Sequence, residues 1–187
     1  MTGLATFVKA VDFAARKHRF QRRKDEDASP YINHPIAVAN VLANEAGIDD
    51  PVTLCAAVLH DTIEDTETTP TELEQIFGAQ ITQIVLEVTD DKSLRKEVRK
   101  QLQIEHAAHL SPQAKAVKLA DKICNLRDLL IQPPVGWSIT RCREYFEWAG
   151  KVVKGVRGSQ PAFETIFDQI YTQGITRFDE RAIPETR

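Results

Sequence analysis

Four side chains in this sequence have the types and positions that bind divalent cations. His34 precedes a proline at the start of one apolar segment, the pair His60-Asp61 follows another, and Asp121 lies inside a third. A carboxylate buried without a partner costs several kcal/mol, and one shared cation would compensate both carboxylates. We therefore predict a metal site formed by His34, His60, Asp61 and Asp121. Mixed imidazole and carboxylate ligands suit Mn²⁺, Fe²⁺ or Zn²⁺, and spacing does not select among them.

Two further acidic residues follow the His-Asp pair. Glu64 comes one helical turn after His60, and Asp65 comes one turn after Asp61, so we expect both to face the metal from the same helix. A carboxylate in that position can orient and deprotonate a water whose pKa the cation has lowered. Alternatively, Glu64 and Asp65 form a solvent-exposed helix end without a catalytic role, although the helix dipole disfavours acidic residues in the last turn of a helix.

A basic stretch precedes His34. Six of the nine residues from 16 to 24 are Lys or Arg. One interpretation is a solvated face or a weak nucleic-acid patch. The other is that Arg23 and Lys24 project into the site and meet a polyphosphate and its base, because Arg offers a planar fork that also stacks on purines and Lys offers a point charge.

The apolar pattern that must position these residues is helical almost throughout. Apolar residues repeat at helical spacing from about residue 2 to 18, and a second helix is expected from Pro35 to Gly47. The segment 52–59 is apolar on every side, which is typical of a helix in the middle of a bundle. Cap and proline pairs mark helix starts at Asp50-Pro51, Thr69-Pro70 and Ser111-Pro112. Alternating strand patterns are absent, so we predict an all-α, single-domain bundle of roughly eight to ten helices.

Composition favours one globular domain over residues 1–187. Hydrophobic residues make up 42% and charged residues 27%, and the net charge of −3 argues against a general nucleic-acid coat protein. The apolar runs are too short to span a membrane, and the first residues lack a secretory signal. The three cysteines, at 55, 124 and 142, match no disulfide framework. We expect buried free thiols and a cytoplasmic location.

Three segments carry a resemblance to a known family. They are YINHP at 31–35, AVLHDTIEDT at 57–66 and VKLADKICNL at 117–126. Their order of His, His-Asp and Asp is the metal-binding pattern of the HD phosphohydrolase superfamily, and the chain closely resembles the hydrolase domain of RelA/SpoT homologues. EYFEWA at 144–149 and VVKG at 152–155 are similar to the stand-alone small alarmone hydrolases of the metazoan SpoT-homologue type. The resemblance covers about residues 13–155 and leaves a C-terminal helix and tail at 159–187.

The resemblance implies an activity and assigns residues to it. The implied reaction is hydrolysis of guanosine 3′,5′-bis(diphosphate), or the pentaphosphate, at the 3′-diphosphate, giving GDP or GTP and pyrophosphate. One Mn²⁺ would be held by the four predicted ligands, with Glu64 and Asp65 as the catalytic pair. The implied substrate contacts are Arg23, Lys24, Tyr31, Lys96, Asn125 and Arg141. No nucleic acid or membrane is expected as a partner, and the sequence does not indicate an oligomeric state.

Two other functions remain open at the level of sequence. The same metal site would suit an NADPH 2′-phosphatase, an activity also associated with the metazoan-type relatives. A non-catalytic module that binds nucleotide or RNA is the second alternative, although an intact Glu64-Asp65 pair argues against it. No synthetase region is recognisable, so we expect no alarmone synthesis.

Overall fold

A computed structural model describes residues 3–180 and shows a bundle of helices. Within that range there are ten α-helices, one short 3₁₀ helix and no strand; a single isolated bridge joins Arg22 and Pro30. The α-helices are α1 (Gly3–Lys17), α2 (Asn33–Asn44), α3 (Pro51–Leu59), α4 (Thr62–Asp65), α5 (Pro70–Phe77), α6 (Ala79–Val88), α7 (Lys96–His106), α8 (Pro112–Ile131), α9 (Ile139–Val156) and α10 (Pro161–Glu180), with the 3₁₀ turn at Ala107–His109. The predicted all-α bundle is confirmed. The predicted tail includes residues 181–187, which lie outside the described range.

Helices α3 and α8 form the centre of the bundle. Helix α3 contacts α1, α2, α6 and α8, and α8 also contacts α9 and α10. Every side chain from Cys55 to Leu59 is fully buried, as the apolar pattern of that segment predicts. Burial of a Val or Leu side chain contributes roughly 1.5–3 kcal/mol, so these two helices are firmly anchored. They hold the His-Asp pair and Asp121, which makes the core the scaffold of the predicted site.

The predicted caps fix where the helices begin. The Asp50 carboxylate accepts hydrogen bonds from the backbone N–H groups of Val52 and Thr53, at 3.3 and 3.0 Å. Thr69 and Ser111 cap α5 and α8 in the same way, and a proline follows each of the three caps. Helix α2 differs from its predicted limits, because it begins at Asn33 and ends at Asn44.

The chain breaks its helical path between α3 and α4. The sequence predicts one helix running through the His-Asp pair to Asp65, but α3 ends at Leu59 and α4 starts at Thr62. Side chains bond the carbonyls at the break: His60 Nδ1 contacts the Ala57 oxygen at 2.7 Å, and Thr62 Oγ1 donates to the Leu59 oxygen at 2.6 Å. Serine, threonine and similar side chains compete in this way with the regular helix ladder. The expectation that the catalytic pair shares a helix with His60 is therefore wrong.

In the part of the chain that is described, no helix has both the length and the apolar content that crossing a bilayer requires. All three cysteines lie in this part, and each is buried and unpaired with another, as predicted.

Candidate metal centre and its pocket

The four predicted ligands converge from three places in the fold. His34 is the second residue of α2, His60 and Asp61 occupy the break between α3 and α4, and Asp121 lies in the middle of α8. His34 Nε2 is 3.1 Å from Asp121 Oδ1, and His60 Nε2 is 3.0 Å from Asp61 Oδ2. Crossed distances are also short, at 4.0 Å from His34 Nε2 to Asp61 Oδ2 and 3.9 Å from His60 Nε2 to Asp121 Oδ1. Ligand atoms of His34, His60 and Asp121 all lie within 4.8 Å of one another, and Asp61 adjoins this group.

The hydrogen bonds of His60 leave the correct nitrogen for a metal. Its Nδ1 is held by the Ala57 carbonyl at 2.7 Å, which must accept, so Nδ1 carries a proton and Nε2 provides the lone pair. His60 Nε2 is buried, and within residues 3–180 it has no partner of acceptable hydrogen-bond geometry. A buried nitrogen without a partner, aimed between two carboxylates, fits a divalent cation.

Without a cation, a proton compensates the two carboxylates. Burial opposes protonation of His60, but the charges of Asp61 and Asp121 outweigh it and raise the pKa of His60 to about 9. Burial likewise opposes ionisation of Asp61, yet the two imidazoles hold the pKa of this carboxyl well below its usual range. The site is thus built for positive charge, which is consistent with a cation taking the place of the His60 proton.

Asp121 is held by its own helix. The Lys122 ammonium group donates to Asp121 Oδ2 at 3.0 Å, and Asn125 Nδ2 donates to Asp121 Oδ1 at 2.6 Å. Burial would lower the pKa of Lys122, but the Asp121 carboxylate beside it outweighs burial, and the net effect is a raised pKa. Lys122 Nζ also lies 4.4 Å from the centre of the Trp148 ring. The lysine therefore fixes the orientation of Asp121 and balances part of the charge of the site.

Tyr31 fixes the other carboxylate. Its hydroxyl donates to Asp61 Oδ2 at 2.6 Å. Burial and the neighbouring charge of Asp61 raise the pKa of Tyr31 far above its usual value, so the hydroxyl stays a donor at neutral pH. The contact of Tyr31 with substrate stays a prediction; the structure shows its hydroxyl bonded to Asp61, one of the predicted metal ligands.

The predicted catalytic pair lies next to the metal centre. Asp65 accepts a hydrogen bond from Gln21 Nε2 at 2.8 Å and forms an ion pair with Lys92. Glu64 accepts from the Asp90 N–H at 3.0 Å, and its other oxygen is 3.6 Å from an Arg99 nitrogen. Burial, opposed by the Asp90 hydrogen bond, raises the pKa of Glu64. Both carboxylates are thus positioned by contacts outside the metal centre.

A cavity of about 640 Å³ lies next to His34 and Asp65. Its walls include four of the predicted substrate contacts, which are Arg23, Lys24, Tyr31 and Asn125, together with His34 and Asp65. Arg23 is paired with Asp128, and Lys24 is exposed. The backbone of Lys24 accepts a hydrogen bond from the Val135 N–H at 3.0 Å, which joins the basic stretch to the opposite wall. A pocket of this size can accommodate a nucleotide.

Two predicted contacts lie away from the cavity wall. Lys96 begins α7 and is exposed, and neither it nor Arg141 lines the cavity. The Arg141 guanidinium instead lies 4.2 Å from the centre of the Trp137 ring, and Trp137 is a wall residue. Arg141 is therefore exposed and adjoins the cavity only through Trp137.

Sequence reasoning missed three polar side chains of this region. Lys92 pairs with Asp65, Lys122 with Asp121, and Gln21 donates to Asp65. Lys122 had a signal in the sequence, because a lysine beside a buried aspartate on an apolar helix is itself expected to be buried. Lys92 and Gln21 lie in loops, where periodicity gives no information on which way a side chain points.

Comparison with known proteins agrees with this geometry. A family model described as HD domain matches residues 10–138. The human guanosine-3′,5′-bis(diphosphate) 3′-pyrophosphohydrolase MESH1 is 58% identical over 92% of this chain and 97% of its own length. The zebrafish (Danio rerio) protein of the same name is 55% identical over 90% of this chain and 94% of its own.

A solved structure shows the same fold. It is described as a metazoan ortholog of SpoT that hydrolyzes ppGpp and plays a role in starvation responses, and it matches with a TM-score of 0.88 at 49% identity. The match covers 90% of this chain and 95% of the solved one. With its His, His-Asp and Asp side chains gathered at one point, this chain belongs to the HD-domain family, in the branch of the metazoan MESH1 hydrolases.

Proposed function

We propose that this chain is a guanosine-3′,5′-bis(diphosphate) 3′-pyrophosphohydrolase. It would convert the tetraphosphate to GDP, or the pentaphosphate to GTP, and release pyrophosphate. The observation that carries the proposal is the position of Asp65. It lines a nucleotide-sized cavity beside the four converged side chains that we propose as metal ligands, in a chain 58% identical to the human enzyme of that name. The near-complete coverage of both chains supports carrying the whole activity over.

The metal is assigned to His34, His60, Asp61 and Asp121. We propose Mn²⁺, since imidazole and carboxylate ligands together suit it and the resemblance to alarmone hydrolases favours it. When bound, the cation supplies Lewis acidity, which polarises a phosphoryl group and lowers the pKa of water. Tyr31 and Lys122 hold the two aspartates in place for it, by the hydrogen bonds at 2.6 and 3.0 Å.

Asp65 and Glu64 are assigned the proton transfers. Asp65 lines the cavity, which supports the proposal that its carboxylate accepts the proton of the attacking water. Glu64 has a raised pKa through burial, which suits a group that exchanges protons closer to neutral pH. Lys92 contacts both carboxylates and also lines the cavity, where its charge would meet the phosphates.

The nucleotide is assigned to the basic side of the cavity. Arg23, Lys24, Tyr31 and Asn125 line it, and positive side chains there offset the charge that develops on the phosphoryl oxygens. Lys96 and Arg141 are kept as proposed contacts for the outer part of a long substrate, although neither lines the cavity. Nucleic acid and membrane are not part of the proposal, and the unpaired thiols favour a reducing compartment such as the cytoplasm.

The test is hydrolysis with defined products. The purified protein is incubated with guanosine tetraphosphate and Mn²⁺, and GDP and pyrophosphate are quantified, with and without chelator. We expect stoichiometric GDP and pyrophosphate, loss of both with chelator, and a loss of at least about 10²-fold in kcat for Asp65→Asn. The exposed Lys151→Met serves as a control with unchanged activity.

NADPH is measured in parallel. A kcat/KM for NADPH above that for the tetraphosphate would reassign the substrate to the 2′-phosphatase alternative. Absence of both activities in a metal-loaded protein would reject the catalytic proposal and leave the binding-module alternative.

A further inference from the structure

Two side chains of the basic stretch face inward and have no role in the proposed reaction. His18 follows the end of α1 and is only 1% exposed, and Gln21 is half-buried and lines the cavity. The backbone of Gln21 is fixed on both sides: its N–H donates to the His18 carbonyl at 2.9 Å, and its carbonyl accepts from the Tyr31 N–H at 3.1 Å. The Gln21 side chain therefore extends from a backbone position that two hydrogen bonds fix.

The two side chains form a row of hydrogen bonds that ends on Asp65. Gln21 Nε2 donates to Asp65 Oδ2 at 2.8 Å, and Gln21 Oε1 lies 2.6 Å from His18 Nδ1. A carboxylate only accepts, so the amide nitrogen of Gln21 must face Asp65, and the amide oxygen must face His18. Because that oxygen also only accepts, His18 Nδ1 is the protonated nitrogen.

Within the described residues, the His18 side chain makes no other hydrogen bond that would explain its burial. Its ring packs against Tyr31, with ring centres 5.0 Å apart. Its Nε2 atom is buried, and it finds no hydrogen-bond partner in the described part of the chain. An unsatisfied buried nitrogen costs free energy, so an apolar ring would be better here if packing were the only role of His18.

We propose that His18 and Gln21 are positioning residues for the catalytic carboxylate of Asp65, an inference that rests on the proposed function. His18 sets which end of the Gln21 amide faces Asp65. Gln21 then holds Oδ2, which leaves Oδ1 on the side of Lys92. Without the His18 donor, the amide can turn over with almost no change in shape, and two acceptor oxygens would then face each other at Asp65.

Substitutions separate this role from packing. Gln21→Glu keeps the shape and replaces the donor by an acceptor, and His18→Phe keeps a ring against Tyr31 and removes the donor. We expect each to lower kcat by about ten- to hundredfold, as a misplaced catalytic group does, with KM within about twofold of wild type. His18→Asn presents an amide N–H near the position of Nδ1 and should restore most of kcat. Melting temperature and bound Mn²⁺ are measured for every variant and should stay near wild type.

Phe20→Ser is the matched control, because Phe20 lies in the same stretch and is 80% exposed. It should keep wild-type kcat. A double-mutant cycle gives the sharpest result. If His18 acts through Gln21, His18→Phe should cost nothing further in the Gln21→Glu background.

The outcomes distinguish this inference from the proposed function. A wild-type protein that hydrolyses the tetraphosphate, with variants that are equally active, would overturn the positioning role and leave the function intact. Losses that multiply in the double variant, or a His18→Asn as impaired as His18→Phe, would also overturn it. A wild-type protein without hydrolysis would overturn the proposed function, and the positioning role with it.

Discussion

At the scale of single residues, the Lys122 ammonium group balances part of the negative charge of the proposed metal centre. Its side chain is 4% exposed and is 3.0 Å from Asp121 Oδ2. Removing one partner of a buried ion pair leaves an uncompensated charge, at a cost of about 3–5 kcal/mol. Lys122→Met keeps an unbranched chain against Trp148 and should destabilise the metal-free protein by about that amount.

Added Mn²⁺ should recover part of this loss, because the cation then compensates Asp121. The increase in melting temperature on adding saturating Mn²⁺ is therefore expected to be larger for Lys122→Met than for wild type. Calorimetric scans with and without metal measure it, with Lys151→Met as a control. Equal increases in the two proteins would show that Lys122 does not balance the charge of the site.

Protonation of His60 should make metal binding depend on pH. Its raised pKa of about 9 means that the metal-free site holds a proton at pH 7, and this proton must leave when a cation binds. Binding of Mn²⁺ near pH 7 should release about one proton, and the affinity should fall about tenfold for each pH unit below that pKa. Titration calorimetry in buffers of different ionisation enthalpy counts the protons. Binding without proton release would contradict the charge state described for His60.

The convergence of the four proposed metal ligands was easier to predict from sequence than the residues that support them. His34, His60, Asp61 and Asp121 were recognisable because polar groups are rare in apolar helical segments. The residues that support the site were not recognisable from the sequence, because a hydrogen bond such as that of Gln21 to Asp65 joins residues 44 positions apart. The substrate contacts at Lys96 and Arg141 were assigned by resemblance, and the structure leaves both outside the cavity wall.

At the scale of elements, the start of α3 determines how firmly the His-Asp pair is held. Asp50 accepts from two backbone N–H groups and, at 2.6 Å, from the Thr53 hydroxyl. Loss of such a cap costs about 1 kcal/mol, and up to about 2. Asp50→Ala should lower the free energy of unfolding by that amount, while Asp50→Asn, which caps about equally well, should lower it less. Chemical denaturation of the metal-free variants checks this, and equal losses would show that the cap contributes little.

The same helix shows the limit of element prediction from sequence. The apolar segment and its cap-proline start were predicted correctly, because both depend on local pattern. The end of α3 was not predicted correctly, because the break after Leu59 depends on hydrogen bonds from the His60 and Thr62 side chains to nearby carbonyls. That break gives Glu64 and Asp65 a separate short helix, α4, with its own contacts to Lys92 and Asp90.

At the scale of the whole molecule, α9 and α10 cover α8 and hold the centre of the bundle together. Gly174 of α10 allows α10 to approach α9 closely, because a Cβ atom there would lie 1.9 Å from the ring of Phe146, a fully buried residue of α9. Gly174→Ala should therefore destabilise the protein by about 1–3 kcal/mol through overpacking. Gln173→Ala, at an exposed position beside it, is the control and should be near neutral. A Gly174→Ala protein as stable as wild type would mean that α10 can shift without cost.

The metal site is tested by locating Mn²⁺ in a soaked crystal, with diffraction data recorded at the manganese absorption edge. One anomalous peak is predicted, in contact with Nε2 of both histidines and with carboxylate oxygens of Asp61 and Asp121. A peak elsewhere, or none at these four side chains under conditions that support hydrolysis, would show that they do not form the catalytic metal site.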